Sequence, residues 1–274
     1  MQETKITLTP LFSGSSGNAI LVRAGRSSVL VDAGVSARAV CGALECAGLD
    51  ARQLSAVVIT HEHADHIKGV PMLAKKTGVP VYASNGTWRA MHAKFRDVPN
   101  FSPILLPDGP FYIGSLLVEA FPLSHDAAEP VGYAFFYEGE KAAVATDTGY
   151  ISRGMMRALE GAKSILLESN HDPDMLQSGP YPYVLKQRVA SRRGHLSNAD
   201  CARALVHLAQ TGTTRIYLGH LSRQNNDPDL ALAVSRRALE EAGFAVGEDI
   251  FLSAAAPAMF EVPARAAKAA DRGR

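Results

Sequence analysis

The chain has few cysteines and no long run of apolar residues. Three of its 274 residues are cysteine, namely Cys41, Cys46 and Cys201. An odd and sparse set argues against a disulfide framework and is typical of a reducing compartment. No apolar run approaches the roughly 20 residues that span a bilayer. The N-terminus, MQETKITLTP, also lacks the basic and apolar regions of a signal peptide. We therefore expect a cytoplasmic protein with no membrane partner.

The chain also lacks a strong excess of charge of either sign. Its formal net charge is +1, so no global field indicates binding to nucleic acid or membranes, and a polyanion would need a local basic patch. Apolar residues make up 47% of the sequence, which is enough for a sizeable core. We predict a single domain over residues 1–262 and a basic, flexible tail over 263–274.

Short apolar segments that end in a polar or glycine-containing turn recur in both halves of the sequence. We predict strands at 5–12, 18–25, 27–34, 54–60, 79–83, 114–123, 131–139, 141–149, 164–169 and 214–220. We predict helices from Ser36 to Gly48 and at 67–78, 197–212 and 227–243. Strands precede helices in both halves. This order favours an α/β (α+β) fold, a four-layer αββα sandwich with two β-sheets face to face and helices outside.

A dense group of metal-type ligands follows the predicted strand at 54–60. The stretch ITHEHADHIKG places His61, His63, Asp65 and His66 within six positions. A single histidine after a strand is usually a packed or surface residue. Four such groups together indicate a metal site, because zinc is commonly held by imidazole nitrogen and carboxylate oxygen. The metalloprotease pattern H-E-x-x-H does not fit, since its last position is Asp65.

Three more possible ligands stand at the ends of predicted strands: His125, Asp147 and His220. The ordered set H-x-H-x-D-H, His, Asp, His resembles that of the metallo-β-lactamase-fold hydrolases. The resemblance implies the αββα sandwich, with two divalent metal ions at one edge of the sheets. It also implies the ligand sets, which are His61, His63 and His125 for one ion, Asp65, His66 and His220 for the other, and Asp147 as a bridge.

The same family has an early aspartate, which Asp32 in LVDAG matches. It would orient a ligating histidine, and a purely structural role that ends its strand is an equal alternative. Lactamases often place a cysteine where this chain has Asp147, so the set is typical of the phosphodiesterase and thioesterase branches. Such nitrogen and oxygen ligands suit zinc, manganese or iron, and the sequence does not choose among them.

Finer motifs resemble one branch of the family, the WalJ (YycJ-type) subfamily. They are SGSSGN (13–18), HEHADHIKG, HDAAEPVGY, ESNHD (168–172), KQR (186–188), RGHLSN (193–198) and YLGHLSRQNN (217–226). The subfamily is associated with 5′-directed deoxyribonuclease activity, and its relatives include ribonuclease Z enzymes, whose long inserted arm this chain lacks. The resemblance implies a binuclear metal-dependent phosphodiesterase, a 5′-to-3′ exodeoxyribonuclease that acts on single-stranded DNA.

A local basic stretch favours a polyanionic substrate independently. No acidic residue occurs between Asp174 and Asp200. This stretch contains aromatic residues and four basic ones that we expect to bind substrate, Lys186, Arg188, Arg192 and Arg193. Basic and aromatic groups together suit a single strand, although a solvated helix face is the alternative. The glycine and serine turn at 13–18 adds Ser15 and Asn18 as a phosphate cradle, with a plain hairpin turn as the alternative.

His195 is the histidine that the metal set leaves over. It precedes the helix and strand that lead to His220, and ribonuclease Z has a catalytic histidine in the matching turn. We expect His195 to protonate the leaving oxygen or to hold the scissile phosphate, with His171 as a helper, and Asp65 and Asp147 to complete the catalytic set. The alternative for His195 is a surface residue at a helix start.

Two other function classes share these ligands. A thioesterase like glyoxalase II uses the same histidines and aspartates, but it needs a further C-terminal helical region for glutathione, and the sequence after His220 has no persuasive counterpart. A non-catalytic metal-binding protein is disfavoured because no ligand position is substituted. The sequence sets neither the oligomeric state nor the choice between exonuclease and endonuclease.

Overall fold

The computed structural model describes residues 5–96, 98, 101 and 103–258. Within this part of the chain, the first of two sheets has six strands in sequence order. They are β1 (Ile6–Phe12), β2 (Ala19–Ala24), β3 (Ser27–Val31), β4 (Ala56–Val58), β5 (Val81–Ala83) and β6 (Pro103–Leu105). β1, β2 and β3 are antiparallel, and β3 to β6 run parallel.

The second sheet has seven strands in the order β13-β12-β11-β10-β9-β8-β7. They are β7 (Phe111–Ile113), β8 (Leu116–Pro122), β9 (Val131–Tyr137), β10 (Glu140–Ala145), β11 (Ser164–Glu168), β12 (Arg215–Gly219) and β13 (Phe251–Ala254). β7 to β10 are antiparallel, whereas β10 to β13 are parallel. The ends of β10, β11 and β12 therefore meet at one edge of this sheet.

Nine α-helices connect the strands in the described residues. They are α1 (Ala37–Cys46), α2 (Ala64–Ile67), α3 (Val70–Thr77), α4 (Asn85–Met91), α5 (Arg153–Leu159), α6 (Pro173–Ser178), α7 (Tyr183–Val189), α8 (Asn198–Gln210) and α9 (Pro228–Glu241). The start signals read from the sequence are confirmed, because the side chains of Ser36, Ser197 and Asp227 each accept a backbone N–H. Across the described residues, every helix is too short or too polar to cross a lipid bilayer.

The prediction of one continuous helix at 67–78 is wrong, because the observed helix begins later, at Val70. The structure divides this region into α2 and α3, with Gly69 as the N-cap of α3. The chain passes very close to a neighbouring loop here, since a Cβ on Gly69 would lie 2.2 Å from the carbonyl oxygen of Val35. The amide of Gly69 donates to the carbonyl of Ala33 instead of continuing a helix. The break leaves α2 as a separate turn that carries Asp65 and His66.

The apolar core has three layers, as a four-layer sandwich requires. Alternate residues of β3 illustrate the arrangement, because Val29 and Val31 pack between the sheets whereas Leu30 faces the helices. α1 and α3 cover the first sheet, and α5, α8 and α9 cover the second. The αββα sandwich predicted from the sequence is confirmed. The boundary at residue 262 and the tail 263–274 lie outside the described residues, so the predicted domain limit stays a prediction.

Besides Glu138 in the turn between β9 and β10, three residues that follow strands have an unusual backbone conformation. Asp32 after β3, Asp147 after β10 and His220 after β12 have φ of 61°, 59° and 53°. Residues other than glycine rarely adopt this left-handed backbone conformation. Such strain persists where the surrounding structure holds it, and it is frequent at functional sites. These turns lie where the candidate ligands were predicted.

The hydroxyl of Tyr133 links the two sheets, and its removal tests the packing between them. Tyr133 is fully buried, and its hydroxyl donates to the carbonyl of Ile59 at 2.7 Å. Tyr133→Phe should lower the free energy of unfolding by about 1–3 kcal/mol, because a buried acceptor loses its donor. Urea denaturation measures this change. Tyr112→Phe is the matched control, since Tyr112 is 70% exposed, and equal effects of both changes would contradict the expectation.

Candidate metal centre

The loop after β4 supplies four of the candidate ligands. His61 and His66 are buried, whereas His63 and Asp65 remain partly exposed. His63 is the N-cap of α2, so the backbone turns between His63 and Asp65. This turn lets one short stretch of chain face two neighbouring groups of ligands.

The first group consists of His61, His63 and His125. One ring nitrogen from each lies within 4.8 Å of the others, and the ring centroids are 4.6–5.2 Å apart. Nδ1 of His125 donates to the carbonyl of Gly194 at 2.9 Å. This bond fixes the ring and leaves Nε2 of His125 at 3.8 Å from Oδ1 of Asp147.

The second group consists of Asp65, His66 and His220. Oδ2 of Asp65 lies 3.6 Å from Nε2 of His66 and 3.5 Å from Nε2 of His220. Asp147 stands between the two groups. Its Oδ2 is 3.2 Å from Nε2 of His66, while its Oδ1 faces His125. The structure thus brings together all seven residues that the resemblance implied as ligands.

Asp32 holds the ring of His66 in the second group through a hydrogen bond. Its Oδ2 accepts from Nδ1 of His66 at 2.7 Å, and Thr60 donates to both of its oxygens through its amide and its hydroxyl. The carboxylate therefore sets which nitrogen of His66 carries the proton, and Nε2 faces the centre. Of the two roles left open for Asp32, this contact favours the support of a ligating histidine.

Glu168 is a site residue that sequence reasoning missed. It is fully buried at the end of β11, and its Oε1 accepts from Nδ1 of His195 and from Nδ1 of His220, each at 2.8 Å. Burial by itself would raise the pKa of Glu168, but the facing His195 and His220 lower it to about 2. A signal was present, because Glu168 ends an apolar strand as Asp147 and His220 do.

The chemistry of the centre fits a divalent cation. Among the described residues, three buried ligand atoms here lack a hydrogen-bond partner, namely Nε2 of His61, Nε2 of His220 and Oδ2 of Asp147. Buried polar atoms are nearly always paired, and a cation is one partner that all three can share. Burial would lower the pKa of His220, but Asp147, Asp65 and Glu168 raise it to about 10. The carboxylates of Asp147, Asp65 and Glu168 therefore favour positive charge nearby, and a bound metal ion would supply this charge in place of protons on the histidines.

A small cavity of ≈ 140 Å³ opens beside the first group, and residues expected to bind substrate lie around it. Ser15, Arg188 and His195 line it together with His125 and Asp126. Nε of Arg188 donates to Oδ2 of Asp126 at 2.5 Å. Asp126 was also missed, although it follows His125 directly in the sequence.

The other basic residues diverge from this cavity. The guanidinium of Arg192 lies 3.9 Å above the ring of Tyr150. Arg193 donates to the carbonyl of His125 at 3.4 Å, and Lys186 donates to the carbonyl of Gln177 at 2.6 Å. The four basic residues therefore have separate partners and do not form one uniform helix face.

Asn18 and His171 are both buried, so neither side chain presents surface to the solvent. Asn18 is fully buried, and its amide group contacts Gly14, the carbonyl of Asp65 and Nε2 of His66. It holds the turn at 13–18 against the ligand loop, so it has no surface left for substrate. The side chain of His171 is also buried, and its backbone bridges to Ser197.

Replacement of Asp32 tests its support of His66. Asp32→Asn should weaken metal binding at the second group by about 10- to 100-fold, the usual effect of losing a partner of a ligating histidine. Competition with a chromophoric chelator measures the affinity, and a thermal melt checks the fold. The exposed Asp229→Asn on α9 is the control. If both variants bind metal as the parent does, the role of Asp32 is structural.

Comparisons with known proteins agree with this geometry. Residues 27–221 match the family model described as a Beta-lactamase superfamily domain. The exodeoxyribonuclease YycJ of Bacillus anthracis is 43% identical over 87% of this chain and 90% of its own length. The exodeoxyribonuclease WalJ of Streptococcus pneumoniae serotype 2 is 39% identical over 91% and 94%. A hydroxyacylglutathione hydrolase of Acidiphilium cryptum is 29% identical over 72% and 76%.

The fold has a clear counterpart among solved structures. The metallo-beta-lactamase fold protein YhfI from Bacillus subtilis matches with a TM-score of 0.69 over 93% of this chain and 98% of that one, at 19% identity. A likeness at this identity shows the fold alone. The resemblance read from the motifs is confirmed by the family model and the two exodeoxyribonucleases. The chain belongs to the beta-lactamase superfamily, and its fold is that of the metallo-β-lactamases.

Proposed function

We propose that this chain is a metal-dependent nuclease that removes nucleotides stepwise from the 5′ end of single-stranded DNA. The observation that carries the proposal is the position of Asp147 between two groups of ligands at one sheet edge. Such a pair of sites suits the in-line displacement of a phosphodiester. The choice of DNA and of the 5′ end is supported by the similarity to two exodeoxyribonucleases.

The two sites would hold two divalent ions of zinc, manganese or iron. The ligands are those named above, with His61, His63 and His125 on one side, Asp65, His66 and His220 on the other, and Asp147 shared. When bound, two such ions neutralise charge on the scissile phosphate and make water a stronger nucleophile. The protein's own contribution is to fix the ligand rings through Asp32, Glu168 and the carbonyl of Gly194.

His195 would act on the leaving oxygen or on the scissile phosphate itself. Glu168 accepts from Nδ1 of His195, so Nε2 is the ring atom left to meet a substrate. The ring lines the cavity and is 4.9 Å from the ring of His125. A proton placed on a departing sugar oxygen is worth roughly 10²–10⁴ in rate.

Around this centre, Ser15 and Arg188 would contact the strand near the cleavage point, while Lys186, Arg192 and Arg193 would contact phosphates further away. The contrasting function, a thioesterase that acts on a glutathione conjugate, has weaker support. The chain's similarity to the hydroxyacylglutathione hydrolase is lower and covers less of the chain. A basic and aromatic surrounding suits a strand of nucleic acid better than one small thioester.

As part of the same proposal, the enzyme acts in the cytoplasm. The three cysteines are free, and two of them are buried. Thiols that stay unpaired suit a reducing compartment.

End-labelled oligonucleotides test the polarity and the substrate class. The purified protein, loaded with metal and found by elemental analysis to hold two ions per chain, should shorten a 3′-labelled single strand stepwise. A 5′-labelled strand should release labelled mononucleotide first, because the chain is cut from that end. Duplex DNA and RNA of the same sequence serve as comparison substrates. Degradation from the 3′ end, or activity on RNA alone, would refute the assignment.

His195→Ala tests the role of His195, which is not among the seven candidate ligands. The variant should keep both metal ions but lose turnover by roughly 10²–10⁴ on an oligonucleotide. The loss should shrink on bis-p-nitrophenyl phosphate, whose leaving group departs without a proton. His207→Ala is a matched control, since His207 lies on the surface of α8 and pairs with Glu160. Equal losses on both substrates would leave phosphate positioning as the role, and full activity would return His195 to a structural one.

A further inference from the structure

The cavity beside His125 and His195 has walls of two chemical kinds. On one side, Tyr181, Leu185 and Val189 come from α7 and the turn before it, and they offer ring and aliphatic surface. On the other side, Ser222 and Asn225 come from the loop after β12, and they offer polar atoms. A planar group with a polar edge matches both walls at once.

The polar wall is held in place by hydrogen bonds within the protein. Asn225 is fully buried, its amide donates to Oγ of Ser222, and its carbonyl accepts from the amide of Asp172. Asn170 continues this wall, since its carbonyl accepts from the amide of Ser222 and its side chain donates to the carbonyl of His220. Because these groups are held by the backbone next to a metal ligand, the cavity has a fixed distance from the centre.

The size of the cavity restricts its occupant. Its volume is ≈ 140 Å³, whereas sites for drug-sized molecules measure about 300–1,000 Å³. A whole nucleotide is therefore too large, and a single ring or one phosphate is the right scale.

Charge decides between a ring and a phosphate. The carboxylate of Asp126 lines the cavity beside the guanidinium of Arg188, and the two groups are bonded to each other. Their charges offset each other, so among the lining groups only His125 and His195, at the end next to the metal centre, are left to face a phosphate, and the rest of the cavity offers no excess of positive charge. Hydroxyl and amide groups with both donors and acceptors remain, as on Ser15, Ser222 and Asn170.

We propose that this cavity binds one nucleobase of the DNA strand, next to the scissile phosphate, and so sets the register of cleavage. This proposal rests on the nuclease function proposed above. The base packs on Tyr181 and Leu185 and turns its polar edge to the wall of Asn170 and Ser222. Stacking on a flat face is tolerant of sequence, because every base has such a face. The cavity therefore positions the strand without selecting one base.

A series of oligonucleotides with a single abasic residue tests the proposal in the wild-type enzyme. The abasic residue is moved one position at a time from the 5′ end, and kcat and KM are measured for the first cut. At one position, loss of the base should raise KM by roughly 5- to 150-fold, the scale of one stacked base. No penalty at any position would overturn the proposal. A penalty that follows removal of the 5′-phosphate and not of the base would also overturn it, and would assign the cavity to a phosphate.

A variant that fills the cavity links this penalty to its walls. In Leu185→Trp the abasic penalty should disappear, because the cavity no longer admits the base, while elemental analysis should still find the metal content of the parent. Val184→Trp is the matched control on the same helix, since Val184 is 79% exposed and does not line the cavity. It should keep the full penalty. An equal penalty in Leu185→Trp and in the parent would overturn the proposal.

A second variant and a binding assay cover the cases in which Leu185→Trp does not fold or no cleavage occurs. If Leu185→Trp fails to fold, Tyr181→Ala removes a ring from the apolar wall and should reduce the abasic penalty, because the base loses a surface on which it packs. Binding of the abasic series by fluorescence anisotropy, with metal removed by chelator, reports on the cavity without cleavage. If the wild-type protein cuts no oligonucleotide, the proposed function fails. The anisotropy series still decides whether the cavity holds a base.

Discussion

The neutralisation of buried carboxylates is the constraint on which the rest of this structure depends. Asp32, Asp147 and Glu168 are each 2% exposed or less, and no lysine or arginine contacts them in the described residues. Their partners are histidine rings, such as His66 and His220. Isolated buried charges are very unfavourable. The edge of the sandwich therefore needs cations, and the ligand geometry, the strained turns and the supporting bonds all follow from that need.

The fold meets this constraint because parallel strands end at a common edge. Residues at the ends of β3, β10 and β12 turn inward through left-handed backbone conformations. Close loop packing holds the turns in place. A Cβ on Gly34 would lie 1.5 Å from the carbonyl oxygen of Asp65, and one on Gly194 would lie 2.2 Å from the carbonyl oxygen of Arg188. Only glycine allows the loops to approach this closely, so the ligands and the basic loop are locked to one another.

This packing also separates binding from chemistry. Four of the candidate ligand rings, those of His61, His66, His125 and His220, are buried and have fixed partners. Arg188, in contrast, is half exposed and is held by one carboxylate, Asp126. The guanidinium of Arg192 lies over the ring of Tyr150. The basic side chains that we propose to contact the DNA strand are thus more exposed than the buried ligand rings, which suits contacts to a polymer of varied sequence.

The sequence by itself determined the fold class, the strands that frame the site and the seven candidate ligands, since each candidate follows an apolar run and the ordered set resembles a known family. It did not reveal Glu168 or Asp126, because one carboxylate after a strand or beside a histidine has many uses until its partners are known. It also assigned Asn18 to the substrate, although the side chain is buried against Gly14 and His66. The division of the basic stretch between Asp126, Tyr150 and the carbonyl of His125 was decided by the tertiary structure alone. Local sequence sets which backbone a segment prefers, but only contacts between residues far apart in the chain decide which way a side chain faces and what it can touch.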